Sequence, residues 1–309
     1  MKMYSGNTQS TDTKRPETGR PLLQRVALRL PLILIVLFLG GWIIVKEPAV
    51  VDDPAANPRD PAREDLSRVF YPSAEQIAWH PYFVKPNDTL ESLFGKDWPL
   101  VARFNRIDRR HVYPGMTIKV PDRMDDIRDY TPMPKVYEPA RRHEKYILIN
   151  IMEQWLGAYE YGKLRFSMPA ATGSSGHETP TGLFRVDARH RNHTSSLYKT
   201  EDEAAQYPMD NAIRFHFGPD NTSYWIHARD LPGKPASHGC VGLYDESMQK
   251  RIYTFPTDPV LLDSQKLYQW AVGEDEYEDD TGALEELEDG PLVEVIGENP
   301  VYLTGAMQH

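Results

Sequence analysis

The chain has 309 residues, 40% of them hydrophobic, enough for about two domains with real cores. That excludes a wholly disordered or fibrous protein. The 45 acidic residues outnumber the 35 basic ones for a formal charge of −10, the opposite of the basic footprint that binds nucleic acid. One cysteine, Cys240, excludes an intramolecular disulfide and any zinc site built on two or more thiolates.

In chain order, Leu30 to Val45 is an uncharged apolar run of 16 residues, about 24 Å as a helix. Arg29 and Lys46 stand at its ends, where they can snorkel to the interface. Six of the seven basic residues in positions 1–46 precede the run, which by the positive-inside rule predicts a cytoplasmic tail (1–29), a membrane anchor (30–45) and an exported remainder. A cleaved signal peptide is the competing reading. Val45-Lys46-Glu47-Pro48 lacks a small-x-small cleavage pattern, so the expectation is a single-pass protein of the inner membrane with its bulk in the periplasm. An unpaired thiol in an oxidising compartment is a liability unless it is buried or used.

Residues 46–79 read as a linker, with Pro48, Pro54, Pro58 and Pro61 among charged residues. Residues 80–122 read as a small α+β module in the order βααβ. It runs from Tyr82-Phe83-Val84 through a turn at Lys85 to Asp88, a helix from Thr89, a second around Trp98 to Phe104, and a strand at Thr117 to Val120. Residues 123–143, with Pro132, Pro134 and Pro139, read as a second linker. From Tyr146 the pattern becomes short β-rich runs between Gly and Pro turns, which predicts a mostly β domain over 144–309. Within it lies an acidic insertion near 254–290. Glu274 to Asp289 carries ten acids and no base, and is expected to be a solvated loop or a docking segment for an unknown protein partner.

The chemistry concentrates around the cysteine. Ser237-His238-Gly239-Cys240 places a thiol beside an imidazole, a hydroxyl and a glycine that permits close backbone approach, and twelve residues separate Cys240 from His227. A thiol nucleophile needs a base or cation and donors for the oxyanion that forms on attack, and these residues can supply both. His190-x-x-His193, His216, His227 and His238 lack the spacing of a metal site, and Arg189, Arg191 and Arg214 beside them oppose a cation, so neither metal nor cofactor is expected.

Two stretches resemble known families. Val84-Lys85-Pro86-Asn87-Asp88-Thr89-Leu90, Phe104-Asn105 and Tyr113-Pro114-Gly115 to Pro121 are similar to the LysM pattern, with Asn87 in place of the usual Gly. That resemblance implies binding to N-acetylglucosamine-containing glycan strands, with Trp98, Phe104 and Tyr113 either core residues or sugar platforms. Trp225-Ile226-His227 followed by Ser237-His238-Gly239-Cys240-Val241, with Thr179-Pro180-Thr181-Gly182-Leu183-Phe184 upstream, resembles the YkuD-type L,D-transpeptidases. This implies a YkuD-like β-sandwich that acts on peptidoglycan stem peptides. A cysteine thioester forms at the third stem residue, D-alanine is released, and an amine resolves the thioester to a 3→3 cross-link or an attached protein.

Carried over, Cys240 is the nucleophile and His227 the base, with His238 supporting the thiolate. Ser237 orients a histidine, and the N–H groups of Gly239 and Cys240 form the oxyanion hole. Tyr224, Arg214, Arg229 and Gly242 are the expected substrate contacts. Two positions depart from the family pattern: Gly242 stands where Arg is common, leaving Arg214 or Arg229 to replace it, and Ala228 stands where Gly is usual. Hydrolysis of the same thioester by an L,D-carboxypeptidase or amidase, and a non-catalytic wall-binding protein, remain as alternatives.

Overall fold

The computed structural model describes residues 65–200, 203–219, 221–273 and 280–303, so the expected tail and anchor lie outside the described residues. Among the described residues no helix is long and apolar enough to cross a membrane.

The first module is built from β1 (Trp79–Phe83), α1 (Leu90–Phe94), α2 (Trp98–Asn105) and β2 (Thr117–Pro121), the order expected from sequence. β1 and β2 pair antiparallel, from Trp79 opposite Pro121 to Phe83 opposite Thr117. Asn87 adopts a positive φ of 73° in the turn, a conformation that Asn tolerates better than other residues with a Cβ. Thr89 then caps α1 in a reciprocal box with Ser92. Trp98 and Phe104 are buried core residues, so the structure withdraws both as sugar platforms, whereas Tyr113 is only partly buried.

The two expected linkers are packed where they are described. Val69, Tyr71 and Ala74, upstream of β1, are buried in the core of this module, and Ile127, Met133 and Ala140 are buried in the second stretch. Isolated apolar residues in a Pro-rich, charged background give no periodicity, so only tertiary contacts reveal them.

The remaining residues form two five-stranded sheets. One has the order β5 (Lys163–Pro169), β4 (Trp155–Glu160), β3 (Tyr146–Asn150), β14 (Leu292–Ile296), β6 (Gly182–Arg185). The other has β12 (Val241–Leu243), β11 (Ser223–Ala228), β10 (Ala212–Phe217), β7 (Ala188–His190), β13 (Leu284–Glu286). β3 pairs parallel with β14, and β11 pairs parallel with β12. Ile147, Ile149, Val293 and Val295 from one sheet and Ile213, Phe215, Ile226, Val241 and Leu243 from the other share one core, the mostly β sandwich expected. The helix α4 (Asp263–Val272) contributes Leu267, Tyr268 and Ala271 to the same core. A separate two-stranded ribbon joins β8 (Thr194–Lys199) to β9 (Gln206–Pro208).

The described residues of the insertion, 254–273 and 280–290, include regular structure, while 274–279 of the acidic run lie outside the described residues. The insertion holds α4, and Leu284–Glu286 forms β13 against β7, with Glu285 ion-paired to Arg189 at 2.6 Å. An arginine on the neighbouring strand and a backbone ladder make Leu284–Glu286 an edge strand.

The first module and the sheets share a junction. Tyr244 Oη donates to the carbonyls of Ala102 (3.1 Å) or Ile107 (3.0 Å), and Tyr71 Oη donates to that of Gly233 (2.7 Å). Arg109, stacked on Trp98, bridges to both oxygens of the fully buried Glu246 at the start of α3 (Glu246–Tyr253).

Candidate active site

Strand alternation decides which side chains meet. His227 lies across from Gly242 in the β11–β12 pair, while their neighbours Ile226 and Val241 point into the sandwich core. Cys240, two residues before Gly242, therefore emerges on the same outer face as His227. It packs there against the cluster of Trp225, Ala188, Ala212 and Met209, and is half-buried.

His227 is almost fully buried, and its Nδ1 lies 2.7 Å from the Ala228 carbonyl oxygen. A carbonyl only accepts, so Nδ1 carries the proton and Nε2 keeps its lone pair. Burial, reinforced by the Arg229 charge, lowers the imidazole pKa to about 3, so His227 is neutral at physiological pH. Burial pushes the Cys240 thiol up, opposed by a hydrogen bond from the Trp225 backbone and by the charge of Arg229. A thiol held up in its pKa must lose its proton before the sulfur can attack.

The loop carrying the cysteine is held from several sides. Ser237 Oγ donates to the Cys240 carbonyl at 2.5 Å and accepts from the Gly239 N–H at 3.1 Å. Ser237 thus ties the loop to itself, and the Gly239 N–H, one of the two expected oxyanion donors, is engaged by the Ser237 hydroxyl in this structure. Thr179, of the Thr179-Pro180-Thr181-Gly182 segment, donates to the Gly239 carbonyl at 2.9 Å and accepts from the Gly173 N–H. Gly239 has φ +108°, and a Cβ there would fall 2.6 Å from the Tyr224 ring, so Tyr224 braces the loop and the glycine is obligatory.

His238 is exposed on the other side of the loop, stacked on Tyr198 at 4.5 Å and beside His177 at 4.4 Å. Desolvation, His177 and Arg229 hold its pKa below the ordinary value.

The two candidate arginines part company. Arg214 Nε is ion-paired to Asp187 at 2.7 Å, with its guanidinium over Phe217. Arg229 instead runs its aliphatic stem across Gly242, with Nη2 donating to the Ala236 carbonyl at 2.8 Å and Nε buried without a partner.

Sequence reasoning weighed His190 and His193 only as metal ligands. Their Nδ1 atoms are 2.9 Å apart, and the His193 ring sits 4.4 Å from that of Trp225, on the pocket side of β11. Burial and His190 lower the His193 pKa to about 4, and His193 in turn disfavours charge on His227. The H-x-x-H spacing at the end of β7 was the available signal. Among the described residues no group of three or more His, Cys, Asp or Glu could hold a metal ion.

Residues 144–262 match the YkuD family model, described as the L,D-transpeptidase catalytic domain, and that stretch includes His227 and the whole Ser237–Cys240 loop. Among solved structures, the chain is similar to an L,D-transpeptidase from Stackebrandtia nassauensis, at 22% identity over 54% of this chain and 60% of that one, with a TM-score of 0.34. It is also similar to residues 123–326 of an L,D-transpeptidase from Xylanimonas cellulosilytica, at 19% identity over 64% and 78%, with a TM-score of 0.37. A third is the L,D-transpeptidase from Mycobacterium smegmatis, at 16% identity over 50% and 59%, with a TM-score of 0.33. The chain thus spans about 60% of the first of these. No curated protein matches the sequence.

Proposed function

We propose that this protein is a cysteine-dependent peptidoglycan L,D-transpeptidase. The observation that carries the mechanism is the register of β11 on β12, which sets Gly242, two residues beyond Cys240, opposite a neutral His227 whose Nδ1 is fixed on the Ala228 carbonyl. In the first half-reaction the Cys240 proton passes to His227 Nε2 and the sulfur attacks the carbonyl carbon of the third stem residue. The tetrahedral intermediate collapses, the C–N bond to D-alanine breaks, and His227 returns the proton to the leaving amine, leaving a thioester. An amine of a neighbouring stem then attacks the thioester, forming the new amide and restoring the thiol.

In this reading residues 30–45 anchor the chain in the inner membrane and the described residues work in the periplasm. The βααβ module holds glycan strands while the pocket works on stem peptides. Support for the module's role is its sequence resemblance and its strand-helix-helix-strand order.

Incubating the protein with a carbapenem should add one acyl adduct by intact mass, and Cys240→Ala should abolish it. An adduct on the Cys240→Ala variant refutes the nucleophile. Digesting a tetrapeptide-containing sacculus then separates the reactions, since 3→3 dimers report transfer to an amine, whereas tripeptides alone report hydrolysis.

A further inference from the structure

Arg229 is a cation in an unusual position. Arg229 is half-buried, and the fully buried arginines of the described residues face a carboxylate instead: Arg106 meets Glu153 at 3.3 Å, Arg109 meets Glu246 at 2.7 Å, and Arg214 meets Asp187 at 2.7 Å. Among the described residues Arg229 has no carboxylate partner, only the Ala236 carbonyl on Nη2, and its Nε is shut off from solvent with no acceptor. A polar donor shut off from solvent without an acceptor is costly, and an anion beside it would relieve that cost.

The backbone makes room for it. The Arg229 N–H donates to the Leu243 carbonyl at 2.9 Å, which aligns the residue beside β12. Its stem then crosses Gly242 so closely that a Cβ at 242 would fall 2.4 Å from Cδ, 2.6 Å from Cβ and 2.9 Å from Cγ of Arg229. Gly242 has an ordinary backbone conformation, so conformational freedom does not call for glycine here; the space taken by Arg229 does. Gly242 lies opposite His227 and two residues beyond Cys240.

We propose that Arg229, laid across Gly242, is the charge that stabilises negative sulfur at Cys240, with Gly242 as its positioning residue. Its field also reaches both motif imidazoles, lowering the pKa of His227 and of His238. The titratable groups packed around the pocket are His227 on β11, His193 after β7, His238 on the cysteine's own loop and Tyr207 on β9; of these only the histidines can add positive charge below neutral pH.

The proposal rests on Cys240 being the nucleophile, and its test is separable from that reading because alkylation needs only the thiol. Cys240 is the only cysteine of the chain, so iodoacetamide labelling of the full chain at a series of pH values reports one group. Arg229→Met should move the alkylation midpoint upward by about one pH unit or more, and Arg229→Lys should largely keep it in place. Gly242→Ala, which pushes the stem aside, should shift the midpoint in the same direction. The double variant should shift it no further than Arg229→Met alone. An unmoved midpoint in Arg229→Met, or full additivity in the double variant, overturns the proposal. If Arg229→Met fails to fold, the Gly242→Ala and Arg229→Lys profiles decide, an unmoved Gly242→Ala midpoint counting against it. A shifted midpoint in a protein that forms no carbapenem adduct would uphold the role of Arg229 and refute the transpeptidase reading.

Discussion

The junction between the βααβ module and the sheets and the pocket around Cys240 treat buried charge in opposite ways. At the junction Arg109 meets Glu246 through two hydrogen bonds of 2.8 and 2.7 Å, Arg103 meets Asp263 through two of 2.7 Å, and Glu246 also accepts from the Val260 and Leu261 N–H groups. In the pocket Arg229 lacks a carboxylate, His227 is held neutral and Cys240 is held as thiol. Saturated charge fixes one arrangement and has nothing left to offer a ligand. Unsaturated charge is less favourable at rest and is relieved when the reaction supplies its complement.

This contrast can be broken from either side. The largest effect is expected in the pocket: His227→Ala should slow carbapenem acylation by about 10²- to 10⁴-fold while the melting transition stays close to that of the parent, measured by stopped-flow absorbance and circular dichroism. Near-normal acylation would pass the base role to His238. At the junction, Glu246→Ala leaves Arg109 without its main partner in a buried site and should cost about 3–5 kcal/mol in urea unfolding. Acylation by the folded fraction should be unchanged, and a loss below 1 kcal/mol would show that the junction does not hold the domains as the bonds imply.

The smallest effect is the acid sensitivity of the pocket. His227 has a folded pKa near 3 and an unfolded value near 6.5, so below pH 6.5 the unfolded chain binds a proton that the folded one refuses. Stability therefore rises with pH across that window and falls as the medium is acidified, by roughly 1 kcal/mol per pH unit from this group. Urea unfolding between pH 7 and pH 5 should show a shallower slope for His227→Gln than for the parent; equal slopes would mean that His227 is not buried neutral.

Much of this was legible in the sequence because it depends on local pattern. Trp225-Ile226-His227 and Cys240-Val241-Gly242 alternate inward and outward residues, and that alternation puts the thiol and the imidazole on one face. Asn87 and Thr89 announce the turn and the cap of α1. What was not legible depends on partners distant in the chain. Nothing near Glu285 indicates that Arg189 and β7 will pair with it, and nothing near Tyr71 indicates that its hydroxyl will reach Gly233. The choice between Arg214 and Arg229 likewise turned on Asp187 and Gly242, neither of which marks its arginine in sequence.

The place of β14 within its sheet has a consequence for assembly. It lies between β3 and β6, pairing Leu292 with Tyr146 and with Arg185. Until that strand is available β3 has an open edge and β6 has no neighbour, even though nearly half of the chain separates β3 from β14. Synthesis from the N-terminus therefore delivers Cys240 before the sheet behind it can close, and until then the open edges of that sheet are exposed to aggregation.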